Sequence, residues 1–409
     1  MLAVLRHPTY ARLFGAQVIA LLGTGLLTVA LGLLAFDIAG SEAGVVMGTV
    51  MAIKMIAYVL VSPVTTALVA RLPARPVLIG ADLVRAGVAV SLPFVTEAWQ
   101  TYVLIFLLQS ASATFTPTFQ AVIPSVLPDE REYTRALSLS RLAYDLESLV
   151  SPVLAAALLT VLSYNNLFFG TVLGFLASAL LVALARFPAV EAPAPAPFLD
   201  RLTRGTRAFS ARPELRGLLG VNLMVATTTA MVIVNTVVLV QADLGRPQQD
   251  VALLLAAYGG GSMLVALTLP RLIDAVPDRR VMLAGAAALP ALLLAAVVVM
   301  GAPAGGAQWA ALLLLWALLG AATSAVLTPS ARLLRRNSTE ANRPAVFAAQ
   351  FSLSHACFLL TYPLAGLLGA AIGLPGVGLV LVAVGVLGLA FAVASWRRVP
   401  MPTPTLAGR

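Results

Sequence analysis

The chain has 409 residues, 60% of them hydrophobic and 11% charged, against about a quarter charged in an ordinary soluble domain, and this excludes a water-soluble fold. A formal net charge of +9 would fit nucleic acid if the basic residues gathered on one soluble face. They are spread along the chain instead, so nucleic acid is excluded as a partner and the lipid bilayer takes its place.

In chain order, apolar segments are predicted at 12–36, 44–68, 76–95, 100–123, 138–160, 165–186, 214–240, 250–271, 281–300, 306–328, 345–371 and 375–396. Most hold about 20 or more residues, the length that crosses a hydrocarbon core as a helix. The expected fold is all-α, with twelve transmembrane helices in two pseudo-symmetric six-helix halves. Of the 26 Lys and Arg, all but Lys54, Arg85 and Arg246 fall at the termini or around alternate loops, those after segments 2, 4, 6, 8 and 10. Positive charge is retained on the cytoplasmic side. Both termini are therefore expected in the cytoplasm and the chain in the plasma (inner) membrane. The start, Met1 to Tyr10, lacks the apolar core of a cleavable signal, and the single cysteine, Cys357, excludes an internal disulfide.

After segment 6 comes "VEAPAPAPFLDRLTRGTRAFSARPELRG". Alternating Pro and Ala favour an extended linker, and Phe198, Leu202 and Phe209 among arginines suit an amphipathic helix on the membrane surface. The expected division is a six-helix bundle at 1–187, a cytoplasmic linker at 188–212, a second bundle at 213–398 and a tail at 399–409. The halves echo each other. "RLPARPVL" at Arg71 is followed 204 residues later by "AVPDRRVM" at Ala275, "FTPTFQ" at Phe115 matches "LTPSAR" at Leu327, and Pro152 has a counterpart in Pro363.

This organisation resembles the major facilitator superfamily of transporters over residues 6 to 398. The family's loop motif is degenerate in the first copy, with Ala70 at its acidic position, Arg71 kept, Pro73 at the second glycine and Arg75 in the basic pair; Asp274, Arg279 and Arg280 keep it better in the second. "HPTYARLFGAQVIALLGTGLLTVALGLLAFDIAG", "AIKMIAYV" and "PDEREYTRALSLSRLAYDLESLVSP" are similar to the exporter branch holding siderophore exporters and nickel-resistance permeases, most of all the latter. The resemblance implies alternating access with a central site, and cytoplasmic gating loops built from Arg71, Arg75, Asp82, Arg85, Asp274, Arg279 and Arg280. The final "RVPMPTPTLAGR" lacks the histidine-rich tail that some metal exporters carry.

Ionised residues inside a membrane are expensive, so each is read as a functional candidate. Segment 5 carries a stripe of Ser140, Tyr144, Glu147 and Ser151 beside a second of Ser138, Arg141, Asp145, Ser148 and Pro152, leaving its other half apolar. Arg141 stands one turn before Asp145, as an intrahelical ion pair requires. Glu147 has no such local partner and is the candidate proton carrier or substrate contact. Lys54, the only lysine, shares a face with Met47, Met51 and Tyr58, and its expected partner is Glu147 or Asp145 on a neighbouring helix. His355, on segment 11 with Ser352 and Tyr362, is a candidate proton relay or metal ligand; Cys357 points about 200° away and cannot chelate with it. Asp82 and Arg85 read as an ion pair near the cytoplasmic edge, Asp37 and Glu42 face the outside, and Asn222, Asn235 and Gln109 add neutral polar groups to a cavity.

The expectation is a proton-coupled exporter whose cargo is a divalent metal such as nickel, held by Glu147, Asp145 and His355. The alternative is export of an anionic metal chelate, siderophore or small drug, which tolerates Lys54 better. No Walker-type loop for ATP and no His-Glu-x-x-His or Ser/His pattern is present, so neither an enzyme nor a cofactor is expected. A monomer is expected.

Overall fold

The computed structural model describes residues 2–61, 65, 72–187, 206–273, 277–338 and 343–397. Among them the chain is helical throughout. The helices are α1 Pro8–Ala39, α2 Ala43–Ile56, α3 Ala74–Ser91, α4 Ala98–Val126, α5 Glu130–Leu158 and α6 Asn165–Leu184; then come α7 Pro213–Val237, α8 Gln248–Ile273, α9 Asp278–Met300 and α10 Gly306–Leu327. The stretch Arg343–Arg397 breaks at Gly373, whose φ of 76° is open to glycine, and Pro375 follows. Its two arms are α11 and α12. A short helix, Ser330–Arg336, follows α10.

Nine helical stretches among the described residues have the length and hydropathy of a membrane span. Two of them, Pro8–Val61 and Ala349–Arg397, each fold into two spans, α1 with α2 and α11 with α12. The remaining helix, α5, is 29 residues long but too polar to qualify by composition. With it the described residues hold twelve helices of membrane-spanning character, and the protein is a multi-pass membrane protein.

Contacts divide the chain into two compact units, one within Met1–Ala194 and Val234–Ala256, the other within Pro195–Ile233 and Ala257–Arg409. In lipid the hydrophobic effect does not press helices together, so small residues that permit close backbone approach and interhelical hydrogen bonds take over. In the first unit α1 packs on α6, where Gly23 and Gly174 face each other and the Thr171 hydroxyl donates to the Gly23 carbonyl at 2.8 Å. In the second unit a Cβ on Gly220 of α7 would strike the Gly388 carbonyl of α12, and one on Gly388 would strike the Gly220 carbonyl. The Thr361 hydroxyl adds a bond to the Ala226 carbonyl at 3.1 Å.

Helix ends are satisfied from neighbouring helices. Arg12 of α1 donates to the Leu184 carbonyl at 2.8 Å and Arg75 of α3 donates to the Ala183 carbonyl, so two guanidinium groups meet the negative end of α6. In the second unit Trp396, near the end of α12, donates its indole N–H to the Glu214 carbonyl at 2.8 Å, and Arg279 stands 5.8 Å above the Trp396 ring. At another helix boundary the Tyr164 hydroxyl donates to Asp37 at 2.7 Å. Burial and the adjacent carboxylate push that phenol above the usual tyrosine range, so it stays a donor.

Arg71, Asp274, Phe198 and Leu202 lie outside the described residues. Phe209 is buried among them.

The glycine crossing is testable. Gly220→Val should lower the melting temperature of the detergent-solubilised chain, since overpacking a close contact costs about 1–3 kcal/mol. Gly80→Ala in α3, where an added Cβ meets nothing within 4 Å, should leave it unchanged; equal melting of both variants would contradict the tight crossing.

Candidate functional site

The polar stripe of α5 lies along α1. Ser140 donates to the Gln17 side-chain carbonyl at 2.9 Å, Tyr144 hydrogen-bonds Gln17, and the Ser151 hydroxyl reaches the Leu22 carbonyl at 3.4 Å. Between them sits Glu147. A Cβ on Gly25 of α1 would overlap Ser151 and stand 3.0 Å from the Glu147 carboxylate, so only a residue without a side chain lets these two polar groups sit so close to α1. The charge of Lys54 on α2 interacts with that of Glu147. An opposite charge nearby offsets part of the cost of holding a carboxylate away from water.

A second charge pair stands in the same unit. Arg85 bonds Asp82 one turn before it on α3, and the Ser178 hydroxyl of α6 donates to the other Asp82 oxygen at 2.8 Å. The guanidinium is stacked between Phe115 and Phe175, 4.3 and 4.4 Å from the ring centroids. Arg85 is 5% exposed and Asp82 is fully buried. The sequence reading made these two an ion pair; Ser178 and two aromatic rings give it the hydrogen bond and cation–π contacts that a buried ion pair needs.

Tyr58, on the π-helical turn Ala57–Val61 that extends α2, and Tyr144 line one cavity together with Arg85. π-turns re-aim side chains and recur at functional sites. Around these tyrosines lies a cavity of about 100 Å³, walled by α1, the end of α2, α3, α4 and α5. Tyr58, Gln17 and Phe115 were not singled out for this role from sequence. The Met47–Lys54–Tyr58 face pointed to the first; on α4 the sequence offered Gln109 and the repeated FTPTFQ stretch, but not the ring of Phe115 as a wall.

The other candidates are distributed differently. The side chains of Arg141 and Asp145 lie outside the described residues. His355 belongs to the second unit, where its Nδ1 stands 2.7 Å from the Phe351 carbonyl and its ring lies 4.0 Å from that of Phe351. Tyr362 is buried, stacked 5.3 Å from Phe358. Asn222, Asn235 and Gln109 are buried; the Asn222 amide nitrogen has no partner among the described residues. Arg75 caps α6 and Arg279 covers Trp396, while Arg280 is exposed. Among the described residues no group of three or more His, Cys, Asp or Glu gathers.

Comparison with known proteins supplies the family. The Major Facilitator Superfamily model matches residues 13–236 and 218–408, and the chain belongs to that superfamily. It is a transporter, not an enzyme. Macrolide efflux protein A of Streptococcus pyogenes is 26% identical over 181 residues, 43% of this chain and 44% of that protein. The protein of the same name from Enterococcus faecalis is 28% identical over 152 residues, 35% of this chain and 47% of that one. The match thus spans less than half the length of these curated relatives. Two solved structures share the fold: the nucleoside transporter NupG, with TM-score 0.69 and 15% identity over 96% of this chain and 100% of that one, and an inward-facing bacterial homologue of the human lysosomal transporter Spinster, with TM-score 0.74 and 13% identity over 96% and 97%.

Two substitution series follow from this geometry. Asp82→Asn and Arg85→Gln should each destabilise the chain, by about 3–5 kcal/mol where one buried charge is left without its partner, and the double variant should lose less than the sum; additive losses in thermal melting would show that the two side chains are not coupled. Gly25→Ala should cost about 1–3 kcal/mol through its clash with Ser151 and Glu147, and the added loss should shrink in the Gly25→Ala/Ser151→Gly pair.

Proposed function

We propose that the protein is a proton-coupled secondary exporter of a small organic molecule, working by alternating access, with Glu147 as the group that carries the proton. The observation behind this reading is the seat of Glu147 against Gly25 of α1, inside the bundle, where its charge interacts with that of Lys54. A carboxylate balanced by one lysine has two states. Ionised, it pairs with Lys54; protonated, it releases that cation to other partners. A two-state element of this kind couples proton binding to a change of helix packing.

The proton enters from the outer side and leaves on the cytoplasmic side, with both termini cytoplasmic as the arginine distribution implies. The protein acts as a single chain in the plasma membrane, its two six-helix bundles at 1–187 and 213–398 joined by the linker at 188–212. The loop residues Arg71, Arg75, Asp274, Arg279 and Arg280 serve as the cytoplasmic gate.

For cargo, similarity to macrolide efflux proteins favours an organic molecule. Lys54 argues in the same direction, since a fixed positive charge beside the carboxylate repels a bare dication. A nickel site of Glu147, Asp145 and His355 would need that repulsion overcome, and it is the weaker reading. An anionic chelate or siderophore is compatible with Lys54 but draws no support from the relatives.

In proteoliposomes an imposed pH gradient should drive macrolide accumulation, and Glu147→Gln should reduce it by about tenfold or more, equivalent to about 1.4 kcal/mol, while leaving gradient-independent exchange. Unchanged gradient-driven accumulation in Glu147→Gln would remove that residue from the coupling. Expression in a sensitive host should raise macrolide tolerance and leave nickel tolerance alone; the reverse pattern would restore the metal reading.

A further inference from the structure

Two helices of the second unit, α9 and α12, pack side by side in opposite directions. Near one end a Cβ on Gly378 of α12 would strike the Val297 side chain of α9, and near the other the Arg279 guanidinium of α9 stands 5.8 Å above the Trp396 ring of α12. The two contacts are 18 residues apart on each helix, so they lie on one antiparallel seam about 27 Å long.

Each helix leaves an apolar stripe uncovered beside this seam. On α9 it runs through Ala284, Ala287, Ala291, Leu294 and Val298, at the alternating spacings of three and four that keep to one helical face. On α12 it runs through Val386, Ala390 and Ala394, with Leu387 next to it. Val298 and Leu387 are each 69% exposed. On a multi-pass membrane protein such a face is met by acyl chains. The next step on both stripes is an exposed arginine: Arg280 four residues before Ala284, and Arg397 three residues after Ala394.

These two arginines lack a counter-charge of their own. The acids at this end are engaged elsewhere, Asp278 with Arg332 at 3.5 Å and Glu214 with Arg336 at 3.3 Å and with Asn337. Among the described residues no carboxylate lies within ion-pair distance of Arg280 or Arg397. They are also neighbours, since Arg280 follows Arg279 and Arg397 follows Trp396, the two residues in contact. The first copy of the repeat has no such pair: by the offset of 204, Arg280 corresponds to Pro76, and Arg279 to Arg75, which donates to the Ala183 carbonyl. Guanidinium groups match the oxygens of a phosphate. A phosphocholine lipid brings a cation of its own, which leaves the arginines uncompensated, whereas an anionic headgroup supplies the missing charge.

We propose that α9 and α12 together bind an anionic glycerophospholipid, with its phosphate at Arg280 and Arg397 and its acyl chains along Ala284, Ala287 and Ala291 of α9 and Ala390 and Leu387 of α12. One leaflet supplies about 15 Å of hydrocarbon, or about ten residues of helix, which is the distance from each arginine to the far end of that contact. On the orientation proposed above, the leaflet is the cytoplasmic one. The site goes beyond the exporter reading and does not rest on it, because binding is read without transport.

The test is native mass spectrometry of the full detergent-solubilised chain with dioleoylphosphatidylglycerol and with dioleoylphosphatidylcholine. The phosphatidylglycerol should bind about tenfold more tightly. Arg280→Gln/Arg397→Gln should lose most of that preference, and Arg6→Gln/Arg186→Gln, which removes two exposed arginines from the first unit, should keep it. If the first double variant does not fold, each of its single variants should lose about threefold. Equal binding of the two lipids, or equal loss in the Arg6/Arg186 variant, would overturn the site in favour of a diffuse positive surface. Release of the bound lipid by an equal concentration of inorganic phosphate would make the ligand a free anion and overturn the lipid. A dimer that Arg280→Gln/Arg397→Gln dissociates would mean that a second copy covers this face, and would overturn it as well.

Discussion

Hydrocarbon offers no hydrogen bonds, so a helix that carries charge across it has to be covered by protein on its polar side. In the first unit α5 sets this demand, being of membrane-spanning length yet too polar to face lipid all round. α1 answers it with Gln17 opposite Ser140 and Gly25 opposite Ser151 and Glu147. α2 carries Lys54, whose charge interacts with that of the same carboxylate. α1 can serve α5 on one side because its other contacts, with α6, are met through glycine backbone at Gly23 and Gly174. The pairing of α1 with both helices is thus a consequence of where α1 keeps its smallest residues.

Much of this was readable from residues. Span lengths and the stripe of Ser140, Tyr144, Glu147 and Ser151 on α5 follow from hydropathy and helical period alone. So did the isolation of Glu147 from its own helix, which pointed to a partner elsewhere. What the sequence left out was three-dimensional. Asp82 and Arg85 read as a pair from their spacing of three, but the partners that bury them, Ser178 and Phe175, lie nearly a hundred residues away. Gln17 is one polar residue in an apolar stretch, and only its contact with Ser140 and Tyr144 distinguishes it. His355 stood out because it is an imidazole in an apolar segment; that its Nδ1 meets the Phe351 carbonyl of the same helix was not legible.

The two units share a repeat but divide the chemistry unequally. By the offset of 204 that relates their basic loops, Lys54 corresponds to Tyr258. Tyr258 bonds Thr323 at 3.3 Å and lies 3.4 Å from the Thr229 hydroxyl, a neutral network where the first unit has ions. By the offset that relates Pro152 to Pro363, Tyr144 corresponds to His355 and Ser151 to Tyr362. The repeat conserves polarity at these positions, while the Asp82–Arg85 ion pair and the interacting charges of Lys54 and Glu147 stand in one copy.

The two arginines on the last turn of α6 have a mechanical meaning. Arg12 and Arg75 come from α1 and α3 and grip adjacent carbonyls at the end of α6. Unravelling that turn therefore has to break bonds to two other helices, so the end of α6 is held by the bundle and not by its own hydrogen-bond ladder alone.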